Sequence, residues 1–262
     1  MCSSDLQGGK IVKSLNTQNE TVKAVEVGYS YKSTTFAANL NGYYTLWTNK
    51  PLDNAPLVKE DPTNPLSDLV PANVNGLGAR HAGIEGDFAY KITPQLRVEG
   101  IASIGNWIWN SKAILIKPDG TSDEFDPRGV KVGDAAQTQL GAMLRYEPIK
   151  RGYVTARTTY FGRNFANFAP ESLKGANAQK QSWQMPSYFL SEFHAGYSLK
   201  VKKSNLDFRF SLLNALNKLY IADGRNNDEN DGSSNNLNFD AESATVFFGL
   251  GRRWNLSVEF RF

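Results

Sequence analysis

VEVGYSYKSTTFAANLNGYYTL, residues 25–46, contains two alternating segments separated by a short polar turn. In the first segment every second residue is apolar: Val25, Val27, Tyr29 and Tyr31. After Ser33-Thr34 the apolar set continues at Phe36, Ala38, Leu40, Gly42, Tyr44 and Leu46. A period of two residues is that of a β-strand with two different faces. The stretch therefore predicts an antiparallel hairpin with one apolar face and one polar face.

The same alternation recurs along the chain and predicts about ten strands in all. The further strands are expected near residues 84–90, 96–104, 136–146, 153–161, 189–199 and 206–212, with two more around Arg252-Arg253-Trp254. Short turns alternate with long polar segments, which are 49–78, 111–134, 163–186 and 218–242.

This regular order of short turns and long loops is typical of an outer-membrane β-barrel. The strands also approach the roughly 9–11 residues that a tilted membrane crossing needs. The mean hydropathy of −0.44 does not exclude a membrane, because a barrel strand is apolar only at every second position. The predicted fold is all-β: an antiparallel, up-and-down transmembrane β-barrel. A soluble β-sandwich also alternates, but its loops would not sort so regularly into short and long.

The charged residues within the strands occupy the face opposite the apolar set. They are Glu85, Asp87, Arg97, Glu99, Arg145, Glu147 and Arg157. An Arg or Lys facing lipid at the bilayer midplane costs about 2–4 kcal/mol, so these residues are expected to face the lumen. Aromatic residues near strand ends suggest an interfacial girdle. The candidates are Tyr43, Tyr44, Trp47, Trp107, Trp109 and Trp254, with cross-strand packing as the alternative for Trp107 and Trp109.

Composition excludes several classes of protein. The 29 Lys and Arg nearly balance 26 Asp and Glu, and the net charge of +3 gives no reason to expect a nucleic-acid partner. The one cysteine, Cys2, allows no internal disulfide. Residues 1–7 show no apolar export segment. We therefore expect a piece of a longer protein, with a disordered or artefactual start over residues 1–20 and a barrel segment over residues 21–262.

No pattern indicates an enzyme, a metal site or a cofactor. The two histidines, His81 and His194, are far apart in sequence, and no Cys/His cluster accompanies them. His194 shares a face with Glu192, which would allow a lumenal metal or haem contact, but a lumenal polar network is the simpler interpretation. Residues 227–232 partly imitate a calcium loop, but Asn238 stands where an EF-hand needs its closing Glu. We interpret that segment as a solvated loop.

Several motifs together resemble the TonB-dependent receptors of the bacterial outer membrane. Glu26-Val27-Gly28-Tyr29 resembles a Glu-x-Gly-Tyr strand of that family, and Gly83-Ile84-Glu85 resembles its Gly-x-Glu strand start. Asn214-Ala215-Leu216-Asn217-Lys218-Leu219-Tyr220 is similar to the Asn and Tyr motif found before the last loop. Gly249-Leu250-Gly251-Arg252-Arg253 and Phe262 resemble the closing hairpin and its terminal residue.

The resemblance implies a barrel of about twenty-two strands filled by a plug domain, of which this chain would supply the last ten or so without the plug. It also implies surface binding and energised uptake of a scarce nutrient: a siderophore–metal complex, haem, cobalamin or a glycan. The implied partners are outer-membrane lipid, the barrel-insertion machinery, the nutrient, and TonB acting through the plug. The alternatives are a ten-stranded outer-membrane protease and a passive porin.

Two sets of residues are candidates for function. Residues at the loop ends that could contact a substrate are Trp47, Trp109, Arg163, Phe165 and Phe168, with girdle or loop packing as the alternative for each. The last strand carries an apolar stripe, Leu256, Val258, Phe260 and Phe262, that resembles the signal read by the insertion machinery. Such a strand must pair with another strand before a barrel can close.

Overall fold

The computed structural model describes residues 6–7, 10–11, 18–51, 57–61, 63–168, 172–226 and 238–262. Its main element is a nine-stranded antiparallel sheet, which we call the wall. In chain order the wall strands are β1 (Thr21–Lys32), β2 (Phe36–Thr48), β3 (Ala79–Lys91), β4 (Leu96–Trp109), β5 (Thr138–Ile149), β6 (Gly152–Gly162), β7 (Tyr188–Val201), β8 (Ser204–Leu213) and β9 (Arg253–Arg261). Each strand pairs with its neighbours in sequence, so the sheet is an up-and-down meander.

The connections sort by length, as the sequence predicts. Short turns at 33–35, 92–95, 150–151 and 202–203 lie at one end of the wall, which we call the turn end. The long connections 49–78, 110–137, 163–187 and 214–252 leave from the other end, which we call the loop end. All four predicted long loops thus emerge on the same side, and this prediction is confirmed.

One expected strand lies outside the wall. Of the two strands predicted around Arg252, the second is β9, but the first, Ala244–Phe248, pairs with Ile221–Asn226 inside the fourth long loop. β9 pairs directly with β8. The physical reason is parity: after eight crossings the chain has left at the loop end, and a single further crossing returns it to the turn end.

The wall is open within the described residues. Its two edge strands are β1 and β9, and they do not pair with each other. Two unpaired edges are what a part of a larger barrel is expected to have. This arrangement differs from the closed ten-stranded barrel that the protease alternative requires.

The remaining elements are short and lie in or before the long loops. They are the strands Leu6–Gln7, Lys10–Ile11, Leu57–Lys59, Leu69–Pro71, Asn73–Asn75, Ala113–Ile116, Ser122–Phe125 and Asn167–Phe168, and the 3₁₀ turn Gly175–Asn177. Among the described residues, no helix has the length and apolarity needed to cross a membrane.

The two faces of the wall differ as the alternation predicts. The apolar face is exposed along every strand, for example at Val27 (73%) and Leu256 (59%). The polar face carries hydrogen-bonded pairs such as Asn39 with Asp87 and Ser103 with Glu85. The register is unbroken between β2, β3 and β4, so no bulge mixes the two faces there.

The predicted aromatic girdle is partly wrong. Tyr44 and Trp254 lie on the apolar face, as a girdle requires, at 45% and 70% exposure. Tyr43, Trp47, Trp107 and Trp109 belong to the polar-face positions of β2 and β4, because odd residues there pair with the odd residues of β3. The parity of the strands excludes these four residues from a lipid-facing belt.

The four long loops pack together into what we call the loop cap. Its buried core draws on every long loop and on the ends of two wall strands. The core residues are Leu77, Ala79, Trp109, Ala113, Phe125, Val130, Val132, Phe168, Leu173 and Phe239. Ion pairs lie at the surface of the cap, among them Asp126 with Arg128 and Asp123 with Lys174. Hydrogen bonds from these cations hold the pKa of both carboxyl groups below the usual value.

Two sequence-based predictions fall largely outside the described residues. They concern the start of the chain, residues 1–20, and the calcium-like segment 227–232.

Candidate functional site

Three rings form a row on the polar face at the loop end of the wall. Trp47 ends β2, His81 lies on β3 and Trp107 lies on β4. His81 is directly opposite Trp107, and the two rings stack with centroids 5.3 Å apart. The Trp47 ring lies 6.1 Å from that of His81. We call these three residues the aromatic row.

Tyr43 contacts the aromatic row on the side nearer the middle of the wall. Its hydroxyl oxygen accepts a hydrogen bond from Trp107 Nε1 at 2.8 Å. The two rings fit because the positions beside them are glycines. A Cβ on Gly83 would come within 2.5 Å of Tyr43 Oη, and one on Gly105 within 2.6 Å of Trp107 Nε1. Gly83 and Gly105 therefore make room for the rings.

The row presents polar atoms that the described residues leave unpaired. Trp47 Nε1 and His81 Nε2 are shielded and have no hydrogen-bond partner in the described part of the chain. A shielded donor or acceptor without a partner costs about 1–3 kcal/mol, so such atoms favour a ligand that pairs with them. Lys50 Nζ lies 5.2 Å from the Trp47 ring and adds a positive charge at the same edge. The row thus combines aromatic rings, unpaired polar atoms and a positive charge at the boundary between the wall and the loops.

The loop cap lies directly on the aromatic row. Trp47 and Trp107 are partly buried against the cap core. Trp107 also exchanges backbone hydrogen bonds with the side chain of buried Gln137, at 3.0 Å each. The row is therefore placed between the polar face of the wall and the underside of the loops.

The structure separates the five predicted substrate contacts into three groups. Trp109, Phe165 and Phe168 are at most 7% exposed and belong to the packed interior of the cap. Trp109 and Phe168 meet edge to face at 6.1 Å. Only Trp47 joins the aromatic row, while Arg163 lies close to Lys131. His81 and Trp107, which are not among these five residues, complete the row.

His194 lies in a polar network further down the polar face. Its Nδ1 is 3.0 Å from Ser211 Oγ, and its Nε2 is 3.5 Å from Glu192. Glu192 also accepts from Arg157 Nε at 3.0 Å. Among the described residues no group of three or more His, Cys, Asp or Glu side chains could hold a metal ion.

Charge is distributed unevenly across the polar face. On β7 to β9 the carboxylates pair with arginines, as in Arg209 with Glu259 at 3.0 Å and in Arg261 with Asp207. On β3 the partners of Asp87 and Glu85 are the neutral side chains of Asn39 and Ser103. These residues, with Asn41 and Gln139, line a shallow cavity of about 340 Å³. We call this region the acidic patch.

Comparison with known families and structures gives a consistent result. The family model described as "TonB dependent receptor-like, beta-barrel" matches residues 7–217. No curated protein matches the sequence.

Three solved structures illustrate the likeness in fold. The FrpB iron transporter from Neisseria meningitidis matches with a TM-score of 0.57 at 17% identity, over 97% of this chain and 33% of that one. The ferric yersiniabactin uptake receptor from Yersinia pestis gives 0.56 at 14% identity, over 92% and 30%. The ferric preacinetobactin receptor from Acinetobacter baumannii gives 0.55 at 20% identity, over 92% and 29%. The chain thus spans about a third of the length of each of these proteins.

Proposed function

The chain belongs to the TonB-dependent receptor-like β-barrel family, and we propose that it forms part of the wall and the surface loops of a receptor for energised uptake of a scarce nutrient. The family consists of receptors of the bacterial outer membrane and not of enzymes. The apolar face of the wall then meets lipid and the polar face lines the lumen. The loop end faces the outside, since outer-membrane barrels carry their long loops there.

The observation that best supports this proposal is the position of the aromatic row. It lies at the outer mouth of the lumen, beneath the loop cap, where a captured nutrient would pass from the loops into the barrel. Stacked rings bind flat ligand groups through dispersion and quadrupole contacts. Lys50 and the free indole donor of Trp47 favour a ligand with negative charge or oxygen acceptors.

Among the nutrient classes considered, a metal–chelate complex is favoured over haem, cobalamin and glycans. The three structures named above are described as iron or ferric-chelate receptors or transporters. Chelating ligands for ferric iron are rich in anionic oxygens and planar groups, which match the row and Lys50. This assignment of substrate class is part of the proposal.

The proposed partners inside the barrel are a plug domain and, through it, TonB. The acidic patch supports the plug as a partner, because Glu85 and Asp87 lack a cationic neighbour among the described residues. A lumenal domain that offers arginine or lysine side chains would complete these pairs. Charge-assisted hydrogen bonds of that kind are about twice as strong as neutral ones.

The test uses the full-length receptor in its own outer membrane. Trp47→Ala should weaken nutrient binding to whole cells by about tenfold, because a stacking platform and its donor are removed together. Trp254→Ala is the matched control, since this tryptophan lies on the apolar face, and it should bind normally. Uptake, but not binding, should stop when TonB is deleted. Uptake that continues without TonB would overturn the proposal and favour a passive porin.

A further inference from the structure

A row of cations lies on the apolar face at the loop end of the wall. Lys23 on β1 pairs with Leu46 on β2, and Leu46 pairs with Arg80 on β3. Arg80 pairs with Ile108 on β4, which bridges to Lys131 in the second long loop. Residues directly opposite each other across a sheet share a face. Lys23, Arg80 and Lys131 therefore point outward, separated by two apolar side chains. We call these three residues the basic row.

Along the strand direction, the basic row lies closer to the loop end than the apolar residues that face the membrane interior. Tyr44, an outward aromatic residue, is two positions before Leu46 on β2. Two residues of strand correspond to about 7 Å. Tyrosines on a lipid-facing surface sit at the level of the headgroups. The basic row thus lies at or slightly above this level, on the side of the long loops.

The positive charges in this region lie close together, and the described residues provide no carboxylate partner for them. Lys131 Nζ donates to Asn106 Oδ1 at 2.6 Å, and Asn106 is itself an outward residue of β4. Burial lowers the pKa of the Lys131 ammonium, and the nearby charges of Arg163 and Arg80 lower it further. Arg163 and Arg80 are thus close enough to Lys131 to act on its charge.

Several cations of the loop cap are paired with carboxylates. Lys112 contacts Glu124 at 2.6 Å, and Lys174 contacts Asp123 at 2.9 Å. In contrast, no ion pair with a carboxylate joins any residue of the basic row or Arg163 within the described residues. Arg80 Nε is shielded and lacks a hydrogen-bond partner there. An anion supplied from outside the protein would relieve the repulsion between these like charges.

We propose that the basic row binds the phosphate groups of a phosphorylated lipid headgroup in the outer leaflet of the membrane. A lumenal substrate cannot reach it, because the row is on the outer surface of the wall. Neighbouring strands are about 4.8 Å apart, so Lys23, Arg80 and Lys131 follow one another at intervals of about 10 Å. That spacing is too wide for one phosphate and suits a headgroup that carries two. Leu46 and Ile108, between the cations, face the start of the acyl region.

The experiment measures lipid retained by the full-length receptor after purification from outer membranes in mild detergent. The probe is the phosphorylated glycolipid of the same membranes, quantified per folded barrel. The Lys23→Gln/Arg80→Gln/Lys131→Gln variant should retain at least about fivefold less glycolipid than the wild type, because each cation near an anionic surface contributes to binding. The control variant Lys112→Gln/Lys174→Gln removes two paired cations from the loop cap and should retain the wild-type amount.

Three further arms identify the ligand and guard against misfolding. Enzymatically dephosphorylated glycolipid should bind the wild type at least about fivefold more weakly, and millimolar inorganic phosphate should not displace the lipid. The charge-conserving variant Lys23→Arg/Arg80→Lys/Lys131→Arg should retain the lipid, which separates loss of charge from loss of fold. Equal retention by the triple glutamine variant and the wild type would overturn the proposal. So would equal binding of the dephosphorylated lipid, or displacement by free phosphate.

Discussion

The wall and the loop cap bury their apolar residues in different ways. On the wall, outward side chains such as Val27 and Leu256 remain more than half exposed in the chain itself. In the cap, Phe125, Val130 and Leu173 are at most 1% exposed. The cap has an interior of its own, whereas the apolar face of the wall is completed by lipid. Substitutions in the wall should therefore affect insertion, and substitutions in the cap should affect the loops and the ligand.

The largest effect on outer-membrane insertion is expected at the last strand, β9, whose apolar side chains face lipid. In the full-length receptor, Phe260→Asp should abolish most outer-membrane insertion, because it removes an apolar contact and places a charge toward lipid. Deletion of Phe262 should reduce insertion less severely, and Glu259→Gln, on the polar face, should insert normally. Heat-modifiable mobility of the folded barrel in outer-membrane fractions measures all three. Equal insertion of the three variants would show that β9 has no special role.

A cap substitution should have a smaller effect that is confined to the loops. Phe125→Ala leaves a cavity in the cap core and should destabilise the cap by about 3–5 kcal/mol. The loops should then be cut by protease on intact cells, while the barrel still inserts and shows heat-modifiable mobility. Phe193→Ala, at a 49% exposed position on the apolar face, is the control and should leave loop protection unchanged. Loss of insertion in Phe125→Ala would contradict the independence of the two regions.

The smallest effect is expected where the two regions meet, at the aromatic row. A methyl group at Gly83 would lie 2.5 Å from the Tyr43 hydroxyl and 2.8 Å from the backbone oxygen of Ile104. Gly83→Ala should therefore displace Tyr43 and shift β4 locally, at a cost of about 1–3 kcal/mol. Nutrient affinity should fall several-fold without loss of insertion. Gly42→Ala is the matched control on the neighbouring strand, because the nearest atom to its added Cβ is 4.0 Å away. Identical affinity for the two variants would remove Tyr43 and its glycines from the ligand site.

The sequence predicts the wall well because alternation is a local property. Val25 to Tyr31 and Leu256 to Phe262 show their faces directly, and the alternation of short turns and long loops gives the topology. The same alternation wrongly predicts an additional wall strand near Ala244, since a loop hairpin alternates just as a wall strand does. The register of the sheet excludes that strand, because β9 pairs directly with β8 and ends opposite Asn205 at the turn end.

The site is less predictable because it depends on contacts between distant residues. Trp109 and Phe168 are 59 positions apart by their numbering, and only the folded cap shows that they pack on each other. The aromatic row needs the register of β2, β3 and β4, which alternation alone does not give. One clue was available: the odd positions Tyr43, Trp47 and Trp107 share the polar parity of Asn41 and Glu85. That parity places all three on the polar face and therefore outside a lipid-facing girdle.

The most direct test of the account asks which face of the wall meets lipid. In the full-length receptor, with Cys2 and any other native cysteine replaced, single cysteines at Ser257 and Val258 would be labelled with the same fluorophore. The receptor is then reconstituted with lipids whose acyl chains carry a bromine quencher. The account predicts strong quenching at position 258 and little at position 257, because successive residues of β9 point to opposite faces. Equal quenching at both positions, or stronger quenching at 257, would contradict it.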